Sequence, residues 1–70
     1  MKNKAGNRVK ELREEFGFTQ QELAEKVGVT RLTIGSMERK KYEPFVGTAI
    51  KLARVFNCKV EDIFWVGEEE

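Results

Sequence analysis

The side chains best suited to recognising a ligand lie in a polar and basic stretch between residues 20 and 41. Arg31 carries a planar cation with several N–H donors, which can bind a phosphate or grip the O6 and N7 acceptors of guanine. Gln20 and Ser36 add neutral hydrogen-bonding groups, and Arg39 adds a second guanidinium. These residue types suit contact with a nucleic acid.

The composition excludes several other kinds of site. The 70 residues contain no histidine and a single cysteine, Cys58, so an internal disulfide, a zinc site or a His-dependent catalytic site cannot be assembled. No glycine-rich phosphate loop occurs. We therefore expect no enzyme activity, no metal and no cofactor. Because neither a bilayer-spanning apolar run nor a signal-peptide pattern is present, we expect one cytoplasmic domain over residues 1–70 that does not bind a membrane.

Charge is distributed unevenly along the chain. The net charge is +1, but residues 1–41 hold ten Lys and Arg against six acids, whereas residues 42–70 hold three against six. The positive segment contains the cluster described above, as a contact with phosphates requires. An ordinary charged surface would give a similar excess, so charge alone does not decide between the two interpretations.

Hydrophobic spacing predicts the first helix that positions this cluster. Val9, Leu12 and Phe16 fall on one helical stripe, which predicts helix 1 over about residues 7–16 with Phe16 in the core. Gly17 is predicted to end this helix in a left-handed conformation. Residues 1–6 are predicted to form a frayed arm.

Capping signals predict the next two helices. Thr19 and Glu22 have the spacing of a capping box, so helix 2 is predicted to begin after Thr19 and to run to about residue 27. Gly28 is predicted to form the turn, because a left-handed residue there is cheapest as glycine. Thr30 then caps helix 3, which is predicted to end near residue 39.

The rest of the chain predicts two more helices. A loop at residues 40–44 is followed by helix 4 over about residues 46–56, and a short helix 5 carries Ile63 and Phe64. No alternating strand pattern is present. Five helices with short connections predict an all-α domain whose core spans residues 7–64, with an acidic tail after it.

Helices 2 and 3 have the features of a helix-turn-helix. Two short helices held at a fixed angle by a glycine turn can place the second in the major groove of DNA. Ala24 allows the two helices to approach closely, and Gly28 supplies the turn. A generic helical hairpin has the same features singly, and it is their combination with Thr19, Gln20 and Thr30 that favours DNA binding.

The outward face of helix 3 is predicted to contact bases, and consists of Arg31, Leu32, Gly35, Ser36 and Arg39. Arg31 is predicted to bind guanine, Leu32 to contact a thymine methyl group, and Ser36 to pair with several bases. Gly35 either lets the DNA backbone approach closely or merely weakens the helix, and the sequence does not decide.

Phosphate contacts are predicted on both sides of this face. Gln20 lies at the start of helix 2, where it can bind a phosphate or brace Arg31 by a hydrogen bond. The predicted contacts to the opposite DNA backbone are Thr30, Arg39, Lys40, Lys41 and Tyr42. Lys40 and Lys41 can equally belong to a solvated loop.

Separately, Arg13 and Glu38 are predicted to form a partly buried ion pair between helices 1 and 3, with Glu38 away from the reading face.

The order of these motifs resembles the Cro/C1-type (Xre) helix-turn-helix family over residues 7–64. The resemblance rests on the run from Thr19 to Arg31, followed by Ile34, Glu38, Tyr42-Glu43-Pro44, Ala49, Leu52-Ala53 and Glu61-Asp62-Ile63-Phe64. It implies a five-helix lambda-repressor-like fold, helix 3 as recognition helix and a dimer on a palindromic operator. The contacts that it implies are Gln20, Thr30, Arg31, Leu32 and Ser36, and it places the family's core ion pair on Arg13 and Glu38.

The chain departs from the family pattern at three positions. Leu32 stands where glutamine is frequent, Lys40 where a glycine is usual, and Phe45 where a serine or threonine helix cap is common. An exposed Phe45 is a candidate contact for a partner protein.

A homodimer is expected because one such domain contacts only a few base pairs. The tentative dimer surface comprises Val55, Trp65 and Val66, with Phe45 as a further candidate. The alternative is that Trp65 folds back to cap the core.

The leading functional prediction is a sequence-specific regulator of transcription that binds double-stranded DNA, more specifically a repressor. The alternative is a protein-interaction module, such as an antitoxin or adaptor, with the same fold.

Overall fold

The computed structural model describes residues 6–39 and 44–66, which form five helices and a small antiparallel sheet. In chain order the elements are β1 (Gly6–Asn7), α1 (Val9–Glu15), α2 (Gln20–Val27), α3 (Arg31–Glu38), α4 (Val46–Val55), α5 (Val60–Ile63) and β2 (Phe64–Trp65). The predicted five-helix fold is therefore confirmed. Within the described ranges, no helix is long and apolar enough to cross a bilayer.

The boundaries of α2 and α3 follow from local caps. The Thr19 hydroxyl accepts a bond from the Glu22 amide at 3.0 Å, and the Glu22 carboxylate accepts one from the Thr19 amide at 2.8 Å. Gly28 ends α2 with φ of 75°, as predicted, and Thr30 accepts from the Thr33 amide at 3.2 Å to begin α3. These caps fix where each helix starts, and hence which side chains share a face.

A single apolar cluster holds the helices together. Leu23, Ile34, Met37 and Leu52 are fully buried, one or two from each of α2, α3 and α4. Ala24 is also fully buried, so the close approach between α2 and α3 that the sequence predicts is present. The other members of the cluster are Val9, Leu12, Val27, Ala53, Phe56 and Ile63.

Phe16 corrects one prediction, because it is 45% exposed rather than buried. Helix α1 ends at Glu15 and Phe16 is its C-cap, whose amide donates to the Leu12 carbonyl at 2.9 Å. Its ring packs at 5.2 Å from the ring of Phe56 and at 6.0 Å from that of Phe18. Phe16 therefore covers the edge of the core instead of filling it.

The two short strands were not predicted from the sequence. Gly6 pairs with Trp65 and Asn7 with Phe64 in antiparallel register, so Gly6 belongs to a paired strand and not to a frayed arm. Strands of two residues are too short to show a hydrophobic alternation. The Trp65 indole lies over Gly6, where an added Cβ would be 2.9 Å from ring atom Cζ2. Phe64, placed in helix 5 by the sequence, lies in β2.

Candidate nucleic-acid interface

Helix α3 divides into a buried face and an outward face. Ile34 and Met37 are fully buried, whereas Arg31 is exposed and Leu32 is 68% exposed. Ser36 lies half-buried between these two faces. The packing of α2 against α3 fixes this orientation, so the N-terminal residues of α3 point outward in the position from which a recognition helix meets base edges.

Gln20 bridges the start of α2 to both ends of α3. Its side-chain oxygen accepts a hydrogen bond from Nη1 of Arg31 at 3.4 Å, a long and exposed contact. Its amide nitrogen donates to Oε1 of Glu38 at 3.0 Å. Of the two roles predicted for Gln20, the brace on Arg31 is present in the structure.

Arg13 and Glu38 form the predicted ion pair between α1 and α3. Nε of Arg13 lies 2.6 Å from Oε2 of Glu38, and the two side chains are only 13% and 5% exposed. Nη1 of Arg13 also donates to the Phe18 carbonyl at 2.8 Å. The hydrogen bond to Glu38 raises the pKa of Arg13 above its ordinary value. Arg13 therefore stays a cation, and each charge depends on the other for its compensation.

Glu38 lies away from the outward face of α3, as predicted, because its side chain is only 5% exposed. Its carboxylate accepts bonds from Arg13 and from Gln20, and Gln20 in turn contacts Arg31. A chain of polar contacts therefore runs from α1 through the end of α3 to its beginning. Sequence spacing could not show this, because it depends on how three helices meet.

Gly35 is buried, although the sequence places it on the outward face of α3. The side chains of Gln20 and Arg39 cover it. An added Cβ at Gly35 would lie 3.3 Å from Nη1 of Arg39 and 3.8 Å from Nε2 of Gln20. Arg39 itself is exposed and extends its guanidinium along α3 toward Gln20. Because Gly35 has no side chain, the Arg39 guanidinium can lie against this part of α3.

Several predicted site residues lie elsewhere or outside the described ranges. Lys40, Lys41 and Tyr42 fall in residues 40–43, which the structure does not describe. Thr30 is exposed at the start of α3, where its hydroxyl already serves as the cap. The tentative dimer residues and the candidate partner contact are separate from α3: Val55 is half-buried, Trp65 is 45% exposed, Val66 is 83% exposed and Phe45 is 79% exposed.

Asn7 is a polar side chain of interest that the sequence analysis did not single out. It donates from Nδ2 to the carbonyl of Met37 at 2.9 Å and accepts from the Val9 amide at 3.0 Å. Asn7 thereby forms an Asx-turn, because its side-chain oxygen accepts from the amide two residues further on. Its contact with α3 spans 30 residues and has no local signal.

The described residues offer little that resembles a catalytic or metal site. Among them, no group of three or more His, Cys, Asp and Glu side chains is arranged to hold a metal ion. Burial raises the pKa of the Cys58 thiol, with a smaller effect in the same direction from Asp62. A thiol with a raised pKa is a weaker nucleophile at neutral pH.

Comparisons with known proteins agree with this geometry. A family model described as helix-turn-helix matches residues 9–63. An uncharacterized HTH-type transcriptional regulator from Archaeoglobus fulgidus is 56% identical over 63 residues, which covers 90% of this chain and 89% of that protein. The crystal structure of the P22 c2 repressor protein in complex with a synthetic operator superposes with a TM-score of 0.75 at 26% identity, covering 77% of this chain and 82% of that chain.

The fold is also similar to that of a second regulator solved in complex with DNA. The crystal structure of SinR, the Bacillus subtilis master regulator for biofilm formation, in complex with DNA has a TM-score of 0.70 at 34% identity. The match covers 77% of this chain and 87% of that one. The chain belongs to the helix-turn-helix family of the Cro/C1 (Xre) type, whose members are regulators of transcription and not enzymes.

Proposed function

We propose that this chain is a sequence-specific regulator that binds double-stranded DNA through the outward face of α3. The observation that carries the proposal is the exposed, braced Arg31 at the leading end of a helix whose opposite side is fully buried. A basic residue held in this way is suited to bidentate binding of guanine. Similarity to the P22 c2 repressor and to SinR, both solved with DNA, supports the proposal.

The other side chains of α3 and its flanks then take complementary roles. Leu32 is exposed and apolar, so it contacts a thymine methyl group, and Ser36 adds a permissive hydrogen bond. Arg39 extends along the same face and reaches a phosphate or a second base. Thr30, Lys40 and Lys41 complete the phosphate contacts, which fix the register of the protein on the duplex.

The regulator acts as a homodimer on a palindromic operator. Two half-sites about 34 Å apart present the major groove on one side of the duplex, and a two-fold dimer matches that symmetry. The proposed dimer surface consists of Val55, Trp65 and Val66, where Trp65 and Val66 retain large exposed fractions. The similarity of this chain to the P22 c2 repressor favours repression of transcription as the effect of binding.

Sedimentation tests this dimer surface. Trp65→Ala removes the largest apolar side chain of the surface, so we expect the sedimentation coefficient to fall toward that of a monomer. Leu32→Ala, which removes an exposed apolar side chain from α3, is the matched control and should leave the sedimentation coefficient unchanged. An unchanged sedimentation coefficient for Trp65→Ala would show that the dimer forms elsewhere.

Selection of bound sequences from a random duplex pool tests the function. We expect an inverted repeat with guanine at a fixed position in each half-site. The log of the affinity should fall with the log of salt concentration by about 0.9 for each phosphate contact. Recovery of no preferred sequence, with no salt-sensitive binding, would instead favour the protein-interaction module. The exposed Phe45 and Val46 would then be the surface to examine.

A further inference from the structure

Asn7 joins three elements of the fold through one side chain and its backbone. Its Oδ1 accepts from the Val9 amide at the start of α1, and its Nδ2 donates to the Met37 carbonyl in the last turn of α3. Its backbone pairs with Phe64 in the two-stranded sheet. The residue is half-buried, so water competes only in part for these bonds.

The last turn of α3 needs such a partner. The final carbonyls of a helix have no amide donor further along the same helix, so they accept hydrogen bonds from other groups. The Gly35 carbonyl accepts from the Arg39 amide at 3.1 Å. The Met37 carbonyl is also contacted by the Arg39 amide, and it accepts the bond from Asn7 from outside the helix. The Met37 side chain is fully buried in the core. Met37 is therefore held both by its buried side chain and by the hydrogen bond from Asn7 to its carbonyl.

We propose that Asn7 is a positioning residue for DNA recognition, which sets the tilt of α3 by holding its C-terminal turn. This inference rests on the proposed function of α3. A helix of eight residues is about 12 Å long and rigid, so a displacement of its trailing end changes where Arg31 and Leu32 point. Specific base contacts tolerate such a change poorly because they depend on hydrogen-bond geometry.

Asn7 also connects α3 to the strand pair that carries Trp65. Asn7 is paired with Phe64, and the neighbouring Arg8 amide donates to the Ile63 carbonyl at 2.9 Å. A second copy of the chain docked on Trp65 and Val66 would thus contact a segment that is hydrogen-bonded, through Asn7, to α3. Dimerisation and the aim of the recognition helix share this connection.

The two bonds of the Asn7 side chain can be separated by substitution. Asn7→Asp keeps an acceptor for the Val9 amide but loses the donor to Met37 and places a carboxylate beside that carbonyl. Asn7→Ser keeps a short acceptor without adding charge and is too short to span the distance to α3. Asn57→Asp adds the same charge at an exposed position in the turn after α4 and serves as the matched control.

Binding is measured with the duplex recovered from the random pool and with the same duplex after replacement of one guanine–cytosine pair in each half-site. We expect Asn7→Asp and Asn7→Ser to reduce the affinity ratio between the two duplexes about fivefold, the size of one lost hydrogen bond. The control should keep the wild-type ratio. Circular dichroism shows whether each variant is folded under the binding conditions.

Amide hydrogen exchange gives a readout that does not involve DNA. We expect faster exchange at Glu38 and Arg39 in both variants, while the core amide of Leu23 in α2 keeps its protection. Uniformly faster exchange would indicate general destabilisation and contradict a positioning role. Wild-type affinity ratios in both variants, or an equal loss in Asn57→Asp, would also overturn the proposal. Wild-type protein that prefers no duplex would refute the proposed function itself, and the exchange rates would still show whether Asn7 holds α3.

Discussion

The two ends of α3 are held in different ways. At the leading end, the contact that orients Arg31 is a single exposed hydrogen bond of 3.4 Å to Gln20. At the trailing end, Glu38 is 2.6 Å from Arg13 in a nearly buried ion pair, and the Met37 carbonyl is bonded to Asn7 at 2.9 Å.

This difference matches what each end must do. The buried contacts of Glu38 and of the Met37 carbonyl fix the direction of the helix, and neither group is among the proposed contacts to DNA. Under the proposed function, the leading end exchanges its contacts with water for contacts with bases, so strong internal bonds there would compete with DNA. We expect loss of the buried ion pair at the trailing end to lower stability, and loss of the exposed side chains at the leading end to alter recognition.

The largest effect should come from breaking the buried pair. Glu38→Ala leaves the Arg13 cation, which is 13% exposed, with only the exposed carboxylate of Glu14 at 4.0 Å, so we expect the free energy of unfolding to fall by about 3–5 kcal/mol. Urea denaturation followed by circular dichroism measures this loss. The double variant Arg13→Met, Glu38→Leu should lose clearly less than the sum of the single variants. Additive losses would mean that the two charges do not depend on each other.

The next largest effect should be a loss of recognition without a loss of stability. Arg31→Ala removes an exposed side chain, so unfolding should change by no more than about 0.5 kcal/mol. Discrimination in favour of guanine should fall by about 1–3 kcal/mol. Competition binding with duplexes that differ at one base pair measures this. Arg54→Ala, an equal charge change on the exposed side of α4, is the control. A similar loss in both variants would assign the effect to net charge.

Gln20→Ala distinguishes a brace from a phosphate ligand. If Gln20 acts through Arg31, its removal should weaken specific binding about fivefold, and it should have no further effect once Arg31 is already alanine. The measurement is a double-mutant cycle, which compares the DNA affinities of Gln20→Ala, Arg31→Ala and the double variant with that of the wild type. Independent, multiplicative losses would show that Gln20 contacts the DNA backbone directly.

The smallest effect is expected at Gly35, where stability and binding should move in opposite directions. Gly35→Ala raises helix propensity, so the free energy of unfolding should increase by up to about 1 kcal/mol. The added Cβ lies 3.3 Å from Nη1 of Arg39, so that guanidinium must shift, and the affinity for DNA should fall about twofold to threefold. In an Arg39→Ala background the affinity loss should vanish. Its persistence there would mean that the backbone at Gly35 itself approaches the DNA.

Local features of the sequence predicted much of the fold. Thr19, Gly28 and Thr30 mark helix ends because a cap depends on residues within three or four positions. Asn57 takes a left-handed conformation, with φ of 55°, which asparagine favours for the same local reason. The buried pair of Arg13 and Glu38 was predictable because helical spacing places both beside apolar stripes.

The features that the sequence did not predict depend on distant partners. The bond from Asn7 to the Met37 carbonyl spans 30 residues, and the pairing of Gly6 with Trp65 joins the first and last strands. Burial of Gly35 depends on the side chain of Arg39 folding along the helix. No periodicity or capping rule contains such information, since each requires the packed positions of several elements.

The most direct test of the account is an NMR structure of the protein bound to the selected duplex. We expect intermolecular contacts between the side chains of Arg31 and Leu32 and base protons in the major groove, with the buried pair of Arg13 and Glu38 unchanged. Contacts confined to Phe45 and Val46, or a duplex that touches the protein away from α3, would contradict the assignment of α3 as the helix that reads DNA.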